Sequence, residues 1–176
     1  MMSRRLKAGK VHVYTGSGKG KTTAAIGLAV RAAGAGLKVC MCQFIKGKFY
    51  SELKALKNIK EIKIVQCGRG CFIRRKPKAA DIEAARKGLV KSREIIASGR
   101  YDVVILDEAN IAVKLGLIGI DDIIDIIDHK PGFVELVLTG RGAGKRLVER
   151  ADYVTQVTKI KHPFDKGLLA RRGIEY

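Results

Sequence analysis

Residues 13–25 read VYTGSGKGKTTAA, a stretch whose residue types could hold a polyphosphate. Gly16, Gly18 and Gly20 let backbone N–H groups turn inward, and the helix that follows offers its positive end. Lys19 and Lys21 add charge for phosphate oxygens. Ser17 lies inside the loop, Thr22 offers a hydroxyl to a magnesium ion, and Thr23 continues the helix. The spacing is unusual. A phosphate-binding loop normally reads G-x-x-x-x-G-K-[ST]. Gly20, Lys21 and Thr22 fill the last three places, but Thr15 stands where the first glycine belongs and Gly16 comes one place late. Two chemistries stay open on these residues: ordinary hydrolysis of ATP, or a different cut of the same molecule.

Two further segments carry candidate chemistry. VVILDE, residues 103–108, brings Asp107 and Glu108 to the end of an apolar run. A carboxylate there can hold a metal directly or through water, and in a hydrolase the second acid could activate water. LTGRG, residues 138–142, sets Arg141 among glycines, where a guanidinium can reach phosphates or bear on a leaving group. Lys145 and Arg146 follow on an expected helix and read as solvated.

These loops need elements to position them. Residues 10–16 read as a short strand and 21–36 as a helix ended by Gly34 and Gly36. That helix is rich in Ala and Gly and apolar almost all round, so it is expected to be buried. Residues 37–47 form the second expected strand. A short helix over 51–57 and an alternating strand over 61–68 follow. Residues 79–98 place Ile82, Ala85, Leu89 and Ile96 on one helical stripe. Strands are expected at 101–108, 133–142 and 151–160, with a helix from 119 stopped by Pro131 and Gly132. Strands alternating with helices imply a parallel sheet covered on both faces, with ligands beyond the carboxyl ends of the strands. The loops at 15–22, 107–110 and 139–142 meet that rule. The expected class is α/β, P-loop NTPase-like (RecA-like), as one domain over residues 1–176.

The 176 residues carry 35 Lys and Arg against 17 Asp and Glu, a net charge of +18, which favours anionic ligands. No apolar run reaches the length of a membrane span and the first residues lack the apolar stretch of a secretion signal, so the expected location is cytoplasmic, with no membrane partner. Cys40 and Cys42 alternate along a strand and read as buried apolar fillers. Cys67 and Cys71 flank Gly-Arg-Gly, no C-x-x-C pair exists, and His12, His129 and His162 lie far off in sequence, so neither a zinc site nor a disulfide framework is expected.

The whole chain resembles the ATP:corrinoid adenosyltransferases that carry a phosphate-binding loop, those acting on cob(I)yrinic acid a,c-diamide or cob(I)alamin. The matching pieces are YTGSGKGKTTAAIGLAVRAAGAG, VCMCQFIKG, VVILDE, LVLTGRG, ADYVTQV and KHPFDKGLLARRGIEY, in family order. The resemblance implies that the contracted loop is a family trait and that ATP lies in it in the reverse sense. Reduced Co(I) of a corrinoid (cobalamin, cobinamide or cobyrinic acid a,c-diamide) then attacks the ribose 5′ carbon, and triphosphate leaves. Gly16, Ser17, Gly18, Lys19, Gly20, Lys21, Thr22, Thr23 and Arg141 would bind the nucleotide, Ser17 standing where relatives often carry asparagine. Lys21 and Arg141, with Lys19, would offset the charge of the leaving group. Thr22 and Glu108, with Asp107 close by, would bind Mg2+ or Mn2+. Residues 67–85 match the stretch that faces the corrin, with Phe72, Cys71 and Ile73 at the ligand. Phe72 is the one aromatic residue there, and Ile73 stands about where related chains carry tryptophan. The resemblance also implies an electron donor such as a flavoprotein, a homodimer, and no nucleic-acid partner. The segment before Val11 is short, so the lid that longer relatives build there is not expected.

Three other classes are compatible with the loop alone. They are a RecA-like nucleic-acid-dependent ATPase, a small-molecule kinase and a non-catalytic nucleotide-binding regulator. The first gains from the positive charge. The first two are opposed by the short loop, and the third predicts ATP binding without turnover.

Overall fold

The computed structural model describes residues 5–45, 50–68 and 76–176. Six strands form one sheet in the order β3-β2-β4-β5-β1-β6: β1 (Val11–Thr15), β2 (Val39–Gln43), β3 (Ile62–Gln66), β4 (Val103–Asp107), β5 (Glu135–Thr139) and β6 (Tyr153–Gln156). Every pairing is parallel. Parallel neighbours need a crossover, and the intervening sequence supplies helices for it. These are α1 (Lys21–Gly34), α2 (Ser51–Leu56), α3 (Ala79–Ala97), α4 (Ala109–Lys114), α5 (Ile120–His129) and α6 (Lys145–Arg150).

Period-2 alternation sorts each strand's side chains between two apolar layers. Val39, Met41, Val103, Ile105 and Val137 face α1 and α2. Val11, Val13, Cys40, Cys42, Val104, Leu106, Leu136 and Leu138 face α3 to α6. β2 and β4 are buried along their whole length, as sheet-centre strands must be. Cys40, Cys42 and Cys67 are free and buried. Helix starts are closed by local acids: Asp81 Oδ2 accepts the Lys78 N–H at 2.9 Å, and Asp122 Oδ2 accepts that of Gly119 at 3.2 Å.

The topology decides where a ligand can sit. After β1 and β2 the chain crosses to the α1–α2 face; after β4 and β5 it crosses to the other. Neighbours β2 and β4, and likewise β5 and β1, therefore send their connections apart. Crevices open at their carboxyl ends.

Several elements differ from expectation. α1 buries only Ala25, Ala29, Ala32 and Ala33, while Val30 is 45% exposed. The methyl-sized stripe lets the helix lie close to the sheet, and nothing among the described residues covers its outer face. Residues 107–110 are not a loop: β4 ends at Asp107 and α4 begins at Ala109, leaving Glu108 to make the turn alone. The last strand is only four residues and exposed throughout, because β6 is the sheet edge. No helix among the described residues is long and apolar enough to cross a membrane.

Candidate active site

All six strands end in a polar residue at the carboxyl end of the sheet; those of the four inner strands are Thr15, Gln43, Asp107 and Thr139. The last three have no exposed surface. Such burial is costly unless the groups bond one another. Thr22 Oγ1 donates to Asp107 Oδ1 at 2.8 Å, and Thr139 Oγ1 donates to the same oxygen at 2.7 Å. Gln43 Nε2 donates to Asp107 Oδ2 at 3.3 Å. One carboxylate thus ties β4 to β5, β2 and the first turn of α1. Two buried acceptors remain without a hydrogen-bond partner among the described residues, Gln43 Oε1 and Asn110 Oδ1.

Glu108 is the one non-glycine residue with positive φ among those described, at 61°. A side chain in that region costs about 1–2 kcal/mol. The turn is held by the Glu108 N–H, which donates to Thr139 Oγ1 at 3.0 Å. Strain kept at a strand end beside a glycine loop marks a position selected for something other than stability.

The Arg141 loop is pinned from three sides. The Gly140 N–H donates to Tyr14 O at 3.1 Å, Asn110 Nδ2 donates to Gly140 O at 3.1 Å, and the Ala143 N–H donates to Thr15 Oγ1 at 3.1 Å. Gly140 and Gly142 flank the arginine with φ of 128° and 75°, which only glycine adopts freely.

The glycine loop is anchored as well. Gly18 N–H donates to Val157 O at 2.8 Å, just beyond β6. A Cβ on Gly16 would lie 2.4 Å from Val157 O, and one on Gly18 would lie 2.9 Å from the Thr158 carbonyl. The Gly18 N–H is therefore committed to the scaffold. Inward donors are left to the residues from Lys19 onward, where α1 begins with no acid in its first turn. Lys21 Nζ donates to Gly18 O at 2.6 Å. Its pKa is lowered by burial first and then by the nearby Arg141 charge, with Glu108 opposing both. Lys21, at the start of α1, thus feels the charges of Arg141 and Glu108, carried by two other segments. An opposite charge nearby would favour the charged form of Lys21.

Comparison with known proteins agrees with the geometry. The family model described as ATP:corrinoid adenosyltransferase BtuR/CobO/CobP matches residues 7–176. A corrinoid adenosyltransferase of Sinorhizobium sp is 34% identical over 180 residues, covering 100% of this chain and 84% of that protein. Another, of Pseudomonas aeruginosa, is 34% identical over 174 residues, 98% of this chain and 86% of that one. The chain belongs to this adenosyltransferase family. Among solved structures, the flagellar accessory protein FlaH of Methanocaldococcus jannaschii superimposes with a TM-score of 0.59 at 12% identity, over 86% of this chain and 72% of that one. That likeness concerns the fold, which is P-loop NTPase-like.

For this adenosyltransferase the structure joins Thr22 to Asp107 and puts Lys21 within the electrostatic influence of Arg141 and Glu108. Gly16, Gly18 and Gly20 shape the loop; Thr23 lies exposed on the first turn of α1. Ser17 and Lys19 are engaged elsewhere. Ser17 Oγ accepts the Lys159 N–H at 3.4 Å, and Lys19 Nζ pairs with Glu175 at 2.9 Å. Cys71, Phe72 and Ile73 lie outside the described residues. Sequence reasoning placed Asn110 and Thr139 in ligand-binding loops without giving either a role, and did not single out Gln43. The signal was present: VCMCQ, VVILD and ELVLT are apolar strands whose last residue alone can bond at the carboxyl edge.

Proposed function

We propose that this chain transfers the 5′-deoxyadenosyl group of ATP to the Co(I) centre of a corrinoid and releases triphosphate. The cobalt electron pair forms the Co–C5′ bond, and the C5′–O bond breaks with its electrons passing to the triphosphate. The nucleophile has no proton to lose, so no general base is required. What the protein must supply is placement of two large ligands and stabilisation of the departing charge. The observation that carries this reading is a shortened phosphate loop, whose Lys21 feels the charge of Arg141, in a chain of this family. In it Lys21, Arg141 and Lys19 face the triphosphate, and residues 16–23 cradle it. Lys21 and Arg141 are the catalytic pair.

A magnesium or manganese ion fits the donors present. Thr22, Asp107 and Glu108 offer hard oxygens, and Gln43 Oε1 is a buried acceptor with an unfilled requirement beside Asp107. Among the described residues there is no cluster of three or more His, Cys, Asp or Glu for a caged metal. Magnesium typically takes one or two carboxylates plus phosphate and water, so such a cage is not required. Thr22, Asp107 and Glu108 would hold the ion, and its charge would offset that of the phosphates. Asp107 would hold Thr22 oriented toward it.

The remaining parts of the reading come from the family. Phe72, Cys71 and Ile73 would meet the corrin, a flavoprotein-type donor would supply Co(I), and the enzyme would act as a homodimer of one-domain chains in the cytoplasm. The exposed outer face of α1 and the open edge at β6 are apolar surface that a second copy could cover.

The test supplies ATP, Mg2+ and a corrinoid under strong reduction. The expected products are a light-sensitive cobalt–carbon bond and intact triphosphate. ADP and phosphate without alkylated corrin would overturn the proposal and favour the RecA-like ATPase.

A further inference from the structure

The segment that follows β6 turns back over the phosphate loop. Val157 takes the Gly18 N–H and donates its own N–H to Thr15 O at 2.8 Å. The chain then passes a short 3₁₀ turn, Pro163–Lys166, whose start is capped by His162 Nδ1 accepting the Phe164 N–H at 3.1 Å. It closes in a second turn. There the Arg171 N–H and Nε donate to Glu175 Oε2 at 2.8 and 3.2 Å. The other carboxylate oxygen, Oε1, accepts Lys19 Nζ at 2.9 Å and Arg171 Nη2 at 3.3 Å. Ser51 Oγ donates to Tyr176 O at 3.0 Å, which ties the same turn to the start of α2.

The Glu175 side chain is only 23% exposed, against 45% for Lys19. Its pKa is pulled down to about 2 by the Arg171 and Lys19 hydrogen bonds, so the carboxylate is charged throughout the neutral range. A full negative charge is thus set on a loop lysine 156 residues away in sequence. The rest of the segment is weakly held. Phe164 and Leu169 are 62% and 76% exposed, so little apolar burial retains it. Elements with few buried contacts and exposed bonds are the first to open.

We propose that Glu175 is an internal anion that occupies Lys19 in the nucleotide-free protein and is displaced by a polyphosphate, releasing the turn at 171–176 from the loop. A carboxylate and a polyanion brought to the same ammonium group repel each other, and the more highly charged one prevails. The inference rests on the reading of residues 16–23 as the triphosphate site. It gives the loop a nucleotide-dependent latch whose state is visible at Arg171 and Arg172.

The experiment is limited trypsin digestion of the full chain, alone and with saturating ATP–Mg2+ or inorganic triphosphate–Mg2+, with binding of both probes measured in parallel. Cleavage at Arg171 and Arg172 is expected to become several-fold faster with either probe. Glu175→Gln is expected to bind inorganic triphosphate several-fold more tightly, because the competing charge is gone while the side-chain shape is kept. Protection of the segment by the probes, or weaker binding by Glu175→Gln, would overturn the proposal and make Glu175 a strut for the loop. Binding without any change in cleavage overturns the latch alone. A chain that binds neither probe overturns the loop reading and the latch with it.

Discussion

The two ends of the sheet are both polar, and they are built differently. At the amino end the charged groups are matched. Asp102 Oδ2 accepts the Lys38 N–H at 2.8 Å, and Asp152 Oδ2 accepts the Val11 N–H at 2.8 Å while its Oδ1 meets Lys10 Nζ at 3.2 Å. Glu135 accepts the Lys10 N–H at 2.6 Å and lies 2.5 Å from His12 Nε2, whose ring stacks on Tyr153. At the carboxyl end two acceptors stay unfilled among the described residues, Lys21 feels the like charge of Arg141, and one residue is strained. Paired polar groups at strand starts staple strands together; mismatched ones at strand ends await a ligand. The contrast separates residues that build the sheet from residues that use it.

Mutations should divide along that line. The largest effect belongs to Lys21→Ala. Loss of the cation proposed to face the leaving group should slow adenosyl transfer by about 10²–10³-fold. The melting temperature should move little, because the Lys21 bond to Gly18 O is offset by the burial of the ammonium group and the like charge of Arg141. Rates of cobalt–carbon bond formation and a thermal melt check both. A comparable fall in stability would erase the distinction between the two ends.

Gln43→Leu probes the unfilled acceptor. The apparent affinity for Mg2+ should fall by about 10–100-fold, as for groups that orient a metal's ligands. Magnesium titrations of the transfer rate report it, and an unchanged half-saturation would remove Gln43 from the site.

Asp102→Ala should do the opposite at the amino end. It strands the Lys38 N–H and should cost about 1–3 kcal/mol of stability. Below the melting transition the transfer rate should equal that of the parent chain. Denaturant unfolding alongside the rate assay measures this.

Glu108→Gly tests the carboxyl end from the opposite direction. It relieves the left-handed strain and should raise stability by about 1 kcal/mol, yet slow transfer. A variant both more stable and equally fast would mean the strain serves no purpose.

The smallest effect is in pH. Glu175 has its pKa depressed from 4.5 to about 2, so its docking of the 171–176 turn is complete above 4.5 and is lost as pH falls toward 2. The Arg171 amide resonance, bonded to Glu175, should titrate with a midpoint near 2. A midpoint at the ordinary value would show the ion pair absent in solution.

Much of the site was legible because its parts are local. Gly16 to Thr22 announce a phosphate loop through glycine spacing and a following helix, and VVILD announces a buried strand through unbroken apolarity. Other features depend on surroundings. α1 looks apolar all round, but whether its outer face is buried depends on what lies against it. Residues 107–110 look like a loop because Asp, Glu and Asn favour turns, yet α4 starts within them. Its buried Ala109, Asn110 and Ala112 pack where local preference is outweighed by burial.

From the sequence alone come the loop, its contraction, the alternation of strands and helices, and the family. All are patterns within a few residues or matches along the whole chain. Tertiary structure alone decided that Gln43, Asp107, Thr139 and Thr22 would share one carboxylate, and that Glu175 would reach Lys19. Those meetings depend on the strand order β3-β2-β4-β5-β1-β6, which places strands distant in the chain side by side. Chain order does not encode that neighbourhood; the packing of two apolar layers on one twisted sheet does.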